Sequence, residues 1–292
     1  MATKTIQQII PPPPPHMVGD GFRVHNFFPG NDFISEKRMS PFFMLDYNSK
    51  VEFSPREIPR GVGVHPHRGF ETVSIAYHGR IAHHDSTGNS GVIAEGDVQW
   101  MTAASGVLHK EYHEAEFSRQ GGLFQMVQLW VNLPSKYKMS EPKYQAITNA
   151  DMGRFELPAE SGYVEIIAGD YGGVKGPATT FSPMEVYNVI LFDGGGISID
   201  LPAHYNTGIL IIEGQVKINN TAIAPQDNFV LFRNDGETIT LVAEEKSIIL
   251  VLSGEPINEP LASYGPFLMN TYEEIEQAYT DYRQGKFGYL ED

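Results

Sequence analysis

The chain contains no cysteine. Disulfides, thiolate nucleophiles, iron–sulfur clusters and cysteine-based zinc sites are therefore excluded, and any metal must be held by imidazole, carboxylate or backbone oxygen. Positive charge is scarce: 21 Lys and Arg stand against 36 Asp and Glu, a formal net charge of −15. A protein that coats DNA or RNA needs the opposite balance, so direct nucleic-acid binding is not expected. Long apolar runs are also missing. The longest aliphatic stretch is Ile248 to Leu252, far short of the ~18 residues of a membrane span. No apolar run of signal-peptide length precedes the prolines near the start. The expectation is a cytoplasmic protein without a membrane segment.

The chain has 292 residues, 41% apolar and 20% charged, enough to bury a core and a length that favours two domains. Gly and Pro, 29 and 20 in number, punctuate short runs of strand formers such as Thr72 to Tyr77, Val127 to Val131 and Tyr187 to Phe192. Many short strands separated by turns predict an all-β sandwich or barrel. Leu133 to Pro142 is polar and Pro-bounded, which places the domain boundary at 140, giving domains 1–140 and 141–292. Pro11 to Pro15 reads as a stiff, extended N-terminal arm. One short C-terminal helix is signalled by the capping-box spacing of Thr271 and Glu274. Its packing face is predicted from Tyr272, Ile275, Tyr279 and Tyr282, and Gly285 is its stop. The halves share a grammar: His78-Gly79-Arg80-Ile81 and Gly96-Asp97-Val98 correspond to Glu213-Gly214-Gln215-Val216 and Gln226-Asp227-Asn228, which suggests a duplicated barrel.

Of ten histidines, seven (His65, His67, His78, His83, His84, His109 and His113) fall between residues 65 and 113. Even spacing would put fewer than two there. His65 and His67 are an i, i+2 pair, which on a strand shares one face, and His109 and Glu111 repeat that geometry. Two adjacent strands offering such pairs inward bring three nitrogens and one oxygen together. That set suits a divalent first-row metal with open coordination positions. Glu71, four residues after His67, competes with Glu111 for the fourth place. His113 continues the parity of His109 and Glu111 as a substitute ligand or a group that steadies one. His78, His83 and His84 read as exposed or turn-capping bystanders. Trp100 and Met101 read equally as pocket wall or core. In the second half the corresponding positions are Asp200, Pro202, Ile239 and Leu241, with His204 the one histidine nearby, so no equivalent site is expected.

The stretch Gly61 to Thr72, with His65-Pro66-His67-Arg68-Gly69-Phe70-Glu71-Thr72, resembles the first metal motif of pirins, members of the cupin superfamily. Gly96 to Ala103 followed by Gly106 to Glu111 resembles the second, and Gln128 to Leu133 and Gly265 to Asn270 add further likeness. The resemblance implies a bicupin of two stacked double-stranded β-helix (jelly-roll) barrels, with metal in the N-terminal one alone. It implies the ligands His65, His67, His109 and Glu111 and so resolves Glu71 against ligation. The implied metal is Fe(II), while the donor set also accepts Ni, Cu, Mn or Co. The implied activity is dioxygenolytic cleavage of a flavonol such as quercetin, with dioxygen as co-substrate; Glu111, a carboxylate at the metal, is the nearest candidate for the catalytic base. The alternative is a non-enzymatic, metal- and redox-sensing regulator that binds a protein partner. One departure stands out: Ala104-Ser105 occupies a place where the family commonly has Gly-Arg.

Overall fold

The computed structural model of the protein describes residues 2–30 and 34–292. Strands dominate, as the punctuated runs predict. The first half carries β1 (Ile6–Ile10), β2 (His16–Val18), β3 (Phe22–Phe28), β4 (Phe42–Phe53), β5 (Gly61–His67) and β6 (Phe70–His78). It continues with β7 (Ile81–Asp85), β8 (Ser90–Ile93), β9 (Val98–Thr102), β10 (Val107–His113), the short helix α1 (Ala115–Gln120), β11 (Gly122–Asn132) and β12 (Lys143–Ile147). The helix α2 (Tyr272–Arg283) follows near the end. No helix among the described residues is long and apolar enough to cross a membrane.

The chain forms two compact units, and they are not the two halves expected from a cut at 140. The larger comprises Pro14–Pro29, Phe42–Asn149 and Ile257–Asp292; the smaller comprises Met1–Pro13, Gly30–Pro41 and Ala150–Pro256. Both ends of the chain cross over. β1 adds to the smaller unit by antiparallel pairing with Phe229–Phe232, Ile10 opposite Phe229. The proline run therefore lies where the chain passes from one unit to the other, not in a free arm. The C-terminal segment joins the larger unit because Ala262, Phe267, Met269, Ile275, Ala278 and Phe287 bury themselves with Leu108. Composition marks linkers but carries no trace of such non-local pairing.

Each unit combines a seven-stranded and a four-stranded antiparallel sheet. In the larger unit the orders are β12-β9-β6-β11-β4-β3-β2 and β5-β10-β7-β8. In the smaller unit the four-stranded sheet runs Gly196–Asp200, Thr238–Ala243, Gln215–Ile218 and Ala222–Pro225, the same order of connection. Thr238–Ala243 alternates strictly, so Ile239, Leu241 and Ala243 enter a core with Ile199, Val216 and Ile218. Asp200 is exposed and accepts a hydrogen bond from Thr238 Oγ1, and Pro202 is exposed. Among the described residues, the groups able to hold a metal all come from the larger unit.

α2 carries the expected capping box, and Gly285 follows it at φ 72°. Its packing face differs from the predicted stripe. Ile275 and Ala278 are buried, whereas Tyr272 and Tyr282 are 67% and 41% exposed. Asp281 is also buried, because it pairs with the buried Arg68 at 2.9 Å. The turn after β5 is fastened from several sides. Arg68 Nε donates to Ser105 O at 2.7 Å, and its guanidinium lies 4.7 Å over the Phe287 ring. Gly69 has φ 91°, and a Cβ there would meet Leu268 O at 2.0 Å, so only glycine fits. Ala104, whose carbonyl accepts from Gly69 N, sits at φ 42°, a left-handed conformation that glycine adopts more readily than alanine.

The buried Lys138 completes this knot. Its Nζ donates to Gly69 O, Leu268 O and Asn132 Oδ1 at 2.8, 2.8 and 2.6 Å. Lys138→Met leaves three buried acceptors without a donor. It should lower stability by about 3 kcal/mol, read as a fall in the urea midpoint at unchanged slope.

Candidate metal centre

Three neighbouring strands deliver i, i+2 pairs to one interior face. β10 lies between β5 and β7, with His109 opposite both His65 and Asp85, and Glu111 opposite His83. Period-two alternation then puts His65 and His67, His109 and Glu111, and His83 and Asp85 on the same side. The β5–β10 register shifts between His109 and Glu111, a bulge of the kind that re-aims side chains beside functional sites. The imidazole rings of His65, His67 and His109 converge, with centroids 4.2 to 4.8 Å apart.

Backbone carbonyls fix two tautomers. His65 Nδ1 lies 2.8 Å from Gly63 O, and His67 Nδ1 lies 3.2 Å from Pro266 O. A carbonyl only accepts, so each Nδ1 carries the ring proton and each Nε2 presents a lone pair. His109 is fully buried and neither ring nitrogen has a partner in the protein. Such an orphaned imidazole is costly in a core and natural in a ligand. Burial, reinforced by the neighbouring histidines, holds His67 and His109 well below the ordinary histidine range and so favours the neutral, metal-binding form. The donor atoms of His65, His67 and His109 lie within 4.8 Å of one another; Glu111 belongs to a second, overlapping group with His83 and His109. Nitrogen donors with a nearby carboxylate fit a divalent first-row metal.

Glu111 is held from the opposite sheet. Ser74 Oγ on β6 and Gln99 Nε2 on β9 donate to its Oε1 at 3.0 and 3.1 Å, and Gln128 Nε2 on β11 donates to its Oε2 at 2.6 Å. Glu71 sits elsewhere. Alternation turns it to the face of β6 opposite Ser74. There it is buried, accepts from Thr102 Oγ1 at 2.7 Å and leaves its second oxygen without a partner. Burial pushes its carboxyl up to about 7 against that hydrogen bond.

The remaining histidines divide clearly. His78 is half-buried at a strand end beside Glu95, 3.4 Å away. His84 faces outward from β7 and stacks on Tyr112, whose hydroxyl lies 3.1 Å from Nδ1. His113 closes β10 and donates from Nε2 to Gly21 O at 2.8 Å amid Phe22, Phe53, Phe117 and Phe124; burial lowers it to about 4. His204 is 65% exposed. His83 departs from the bystander reading. It is fully buried, opposite Glu111, and is bonded to Gln99 and Asp85. The signal for it was the pair His83 and Asp85, a third i, i+2 combination of ligand-type residues, masked by the doubled histidine and the turn that follows.

A cavity of about 410 Å³ adjoins the imidazoles and is lined by His65, His67, Glu111, Gln128 and Asp46 among apolar neighbours that include Phe22, Met44, Met126 and Trp130. Its size and its apolar walls with a few polar groups are those of a small-molecule site. The Trp130 ring meets His67 edge-on at 5.1 Å and stacks on Phe70 at 4.2 Å. Asp46 accepts from Asn26 Nδ2 at 2.7 Å, and burial raises its carboxyl. Trp100 and Met101 are fully buried core and do not line the cavity.

The profile of the Pirin family matches residues 21–131, and that of the Pirin C-terminal cupin domain matches residues 186–288. A Pseudomonas aeruginosa protein named as a candidate quercetin 2,3-dioxygenase is 47% identical over 272 residues, 93% of this chain and 94% of its own length. Human pirin is 36% identical over 259 residues, 87% of this chain and 84% of its own length. A crystal structure of a quercetin 2,3-dioxygenase from Acinetobacter baumannii matches with a TM-score of 0.93 at 45% identity, covering 99% of this chain and 100% of that one.

The raised Glu71 carboxyl has a consequence for stability. Between its ordinary value of 4.5 and about 7, the folded protein holds a proton that the unfolded chain has released. The contribution of this group to stability therefore falls as pH rises through that window. Glu71→Gln removes the fall. The variant should match the parent near pH 4.5 and exceed it at pH 8 by on the order of 2–3 kcal/mol. Urea unfolding at the two pH values checks this; an equal difference at both refutes it.

Proposed function

The chain belongs to the pirin family, and from that premise we propose that it is a mononuclear metal-dependent dioxygenase, with Fe(II) as its metal, that cleaves flavonols such as quercetin. The observation that carries the proposal is the wall shared by the imidazoles and an apolar cavity large enough for a small aromatic molecule. The quercetin 2,3-dioxygenase names of two similar proteins support the substrate class. His65, His67, His109 and Glu111 hold the metal in this reading. When bound, it supplies Lewis acidity toward a substrate oxygen and a redox partner for dioxygen.

The protein's own groups do the rest. Trp130, Met44 and Met126 receive the flat rings of the substrate, and the buried walls exclude water. Asp46 accepts a hydrogen bond from a substrate hydroxyl across the cavity. Glu111 is the catalytic base: Oε1 already accepts from Ser74 and Gln99, so Oε2 takes the proton of the flavonol 3-hydroxyl. Oε2 also accepts from Gln128, which leaves it one lone pair. That pair would serve either the metal or the substrate proton, not both at once.

Protein purified without a histidine tag, analysed for metal and loaded in turn with Fe(II), Ni, Cu, Mn and Co, should consume oxygen on addition of quercetin, most rapidly with Fe(II). His67→Ala should lose both the bound metal and the oxygen uptake. No uptake with any flavonol at verified metal occupancy rejects the enzyme. Capture of a protein partner that differs between Fe(II) and Fe(III) forms would then favour the regulatory alternative.

Asp46→Leu should raise KM for quercetin about 10-fold, with a smaller change in kcat. Steady-state oxygen consumption separates the two, and an unchanged KM removes Asp46 from substrate recognition.

A further inference from the structure

Glu111 is the one proposed ligand that is held entirely by side chains, and the hydrogen bonds behind it continue beyond the groups that touch it. Gln99 Nε2 lies 3.1 Å from Glu111 Oε1 and 3.1 Å from His83 Nδ1. His83 Nε2 lies 3.4 Å from Asp85 Oδ2. The direction of each bond follows from chemistry. A carboxylate only accepts, so the amide nitrogen of Gln99, not its oxygen, faces Glu111. That nitrogen spends its second hydrogen on His83, whose Nδ1 must therefore present a lone pair and whose proton sits on Nε2. The Nε2 proton points at Asp85, and Tyr144 donates to the Gln99 oxygen at 3.4 Å.

The far end of the chain is firmly anchored. Asp85 Oδ1 accepts from Thr87 N, Thr87 Oγ1 and Asn89 N at 2.9, 2.7 and 3.0 Å. Burial alone would raise the Asp85 carboxyl, but the bonds from His83, Thr87 and Asn89 outweigh it and hold it at about 2. The His83 ring cannot swing, because Tyr144 stacks on it at 5.1 Å and 18°. Gln99, His83 and Glu111 are all buried.

We propose that Asp85, His83 and Gln99 form a positioning relay that sets the orientation of the Glu111 carboxylate. The relay commits Oε1 to the protein and leaves Oε2 for the metal. His83 is a positioning residue, not a ligand, although it stands within ligand reach of His109 and Glu111. The inference rests on the reading of Glu111 as a ligand.

Co(II) added to the metal-free full-length protein tests both levels. The readouts are its visible spectrum, its affinity by chelator competition and the nitrogen count from X-ray absorption. Glu111→Gln should weaken Co(II) binding; unchanged affinity in that variant overturns the ligand reading itself. His83→Leu should weaken binding about 10- to 100-fold, the usual cost of losing a group that orients a ligand. It should also change the spectrum at an unchanged nitrogen count. His83→Asn, whose Oδ1 can accept the Gln99 proton near the place of Nδ1, should recover most of both. Gln99→Met should mimic His83→Leu and guards against a His83 variant that fails to fold, which circular dichroism reports. A wild-type spectrum and affinity in His83→Leu, with Glu111→Gln impaired, overturns the relay alone. Loss of one nitrogen in both His83 variants overturns it in favour of His83 as a ligand.

Discussion

Glu111 lies buried inside the larger unit, with 5% of the residue's surface exposed. A polar group in that position is tolerated only when its oxygens are hydrogen-bonded. Ser74, Gln99 and Gln128 meet this need from three strands of the facing sheet. All three donors are neutral, and among the described residues no Lys or Arg pairs with Glu111. The carboxylate is solvated by the protein without being neutralised. A cation beside it then gains from an environment already arranged around negative charge. The position of each donor strand is constrained by this one group, which links the two sheets across the interior.

The ligand strands depend on a second set of contacts, supplied largely by the C-terminal segment. Pro266 O fixes the His67 tautomer, Asp281 pairs with Arg68, and Leu268 O shares Lys138 with Gly69 O. These contacts concentrate on the turn that follows His67. Ligand precision of a fraction of an ångström requires such support on rigid elements. The basic side chains in this buried region, Arg68 and Lys138, bond to the turn and to the C-terminal segment and line no part of the cavity.

The sequence spelled out much of this molecule. The period-two spacing of His65 with His67 and of His109 with Glu111 revealed that four side chains could share a face, and Gly-punctuated apolar runs revealed a β architecture. Thr271 and Glu274 marked the start of α2. Other features had no local signature. The pairing of β1 with a strand more than two hundred residues away leaves no trace in composition, so the proline run looked like an arm. Glu71 shares parity with His67 in the count, but it belongs to the next strand after a sharp Gly69 turn. The turn resets the faces and points Glu71 away. His83 was hidden for a related reason: its partner strand is identified by register, and only register shows it opposite Glu111.

The smaller unit is an internal control on what the fold requires. Its four-stranded sheet repeats the strand order of β5-β10-β7-β8, so corresponding positions can be compared pair by pair. Where His109 faces His65, Ile239 faces Ile199; where Glu111 faces His83, Leu241 faces Ile218. The barrel therefore closes without any of the buried polar groups. Well-packed apolar side chains at such positions are commonly as stabilising as a satisfied polar cluster, or more so. The imidazoles and carboxylate of the larger unit are thus not explained by folding. His109 sharpens the point: a fully buried ring with two unpartnered nitrogens destabilises the barrel that contains it. A metal held by one of those two nitrogens would offset part of that cost, which would tie the stability of the larger unit to metal binding.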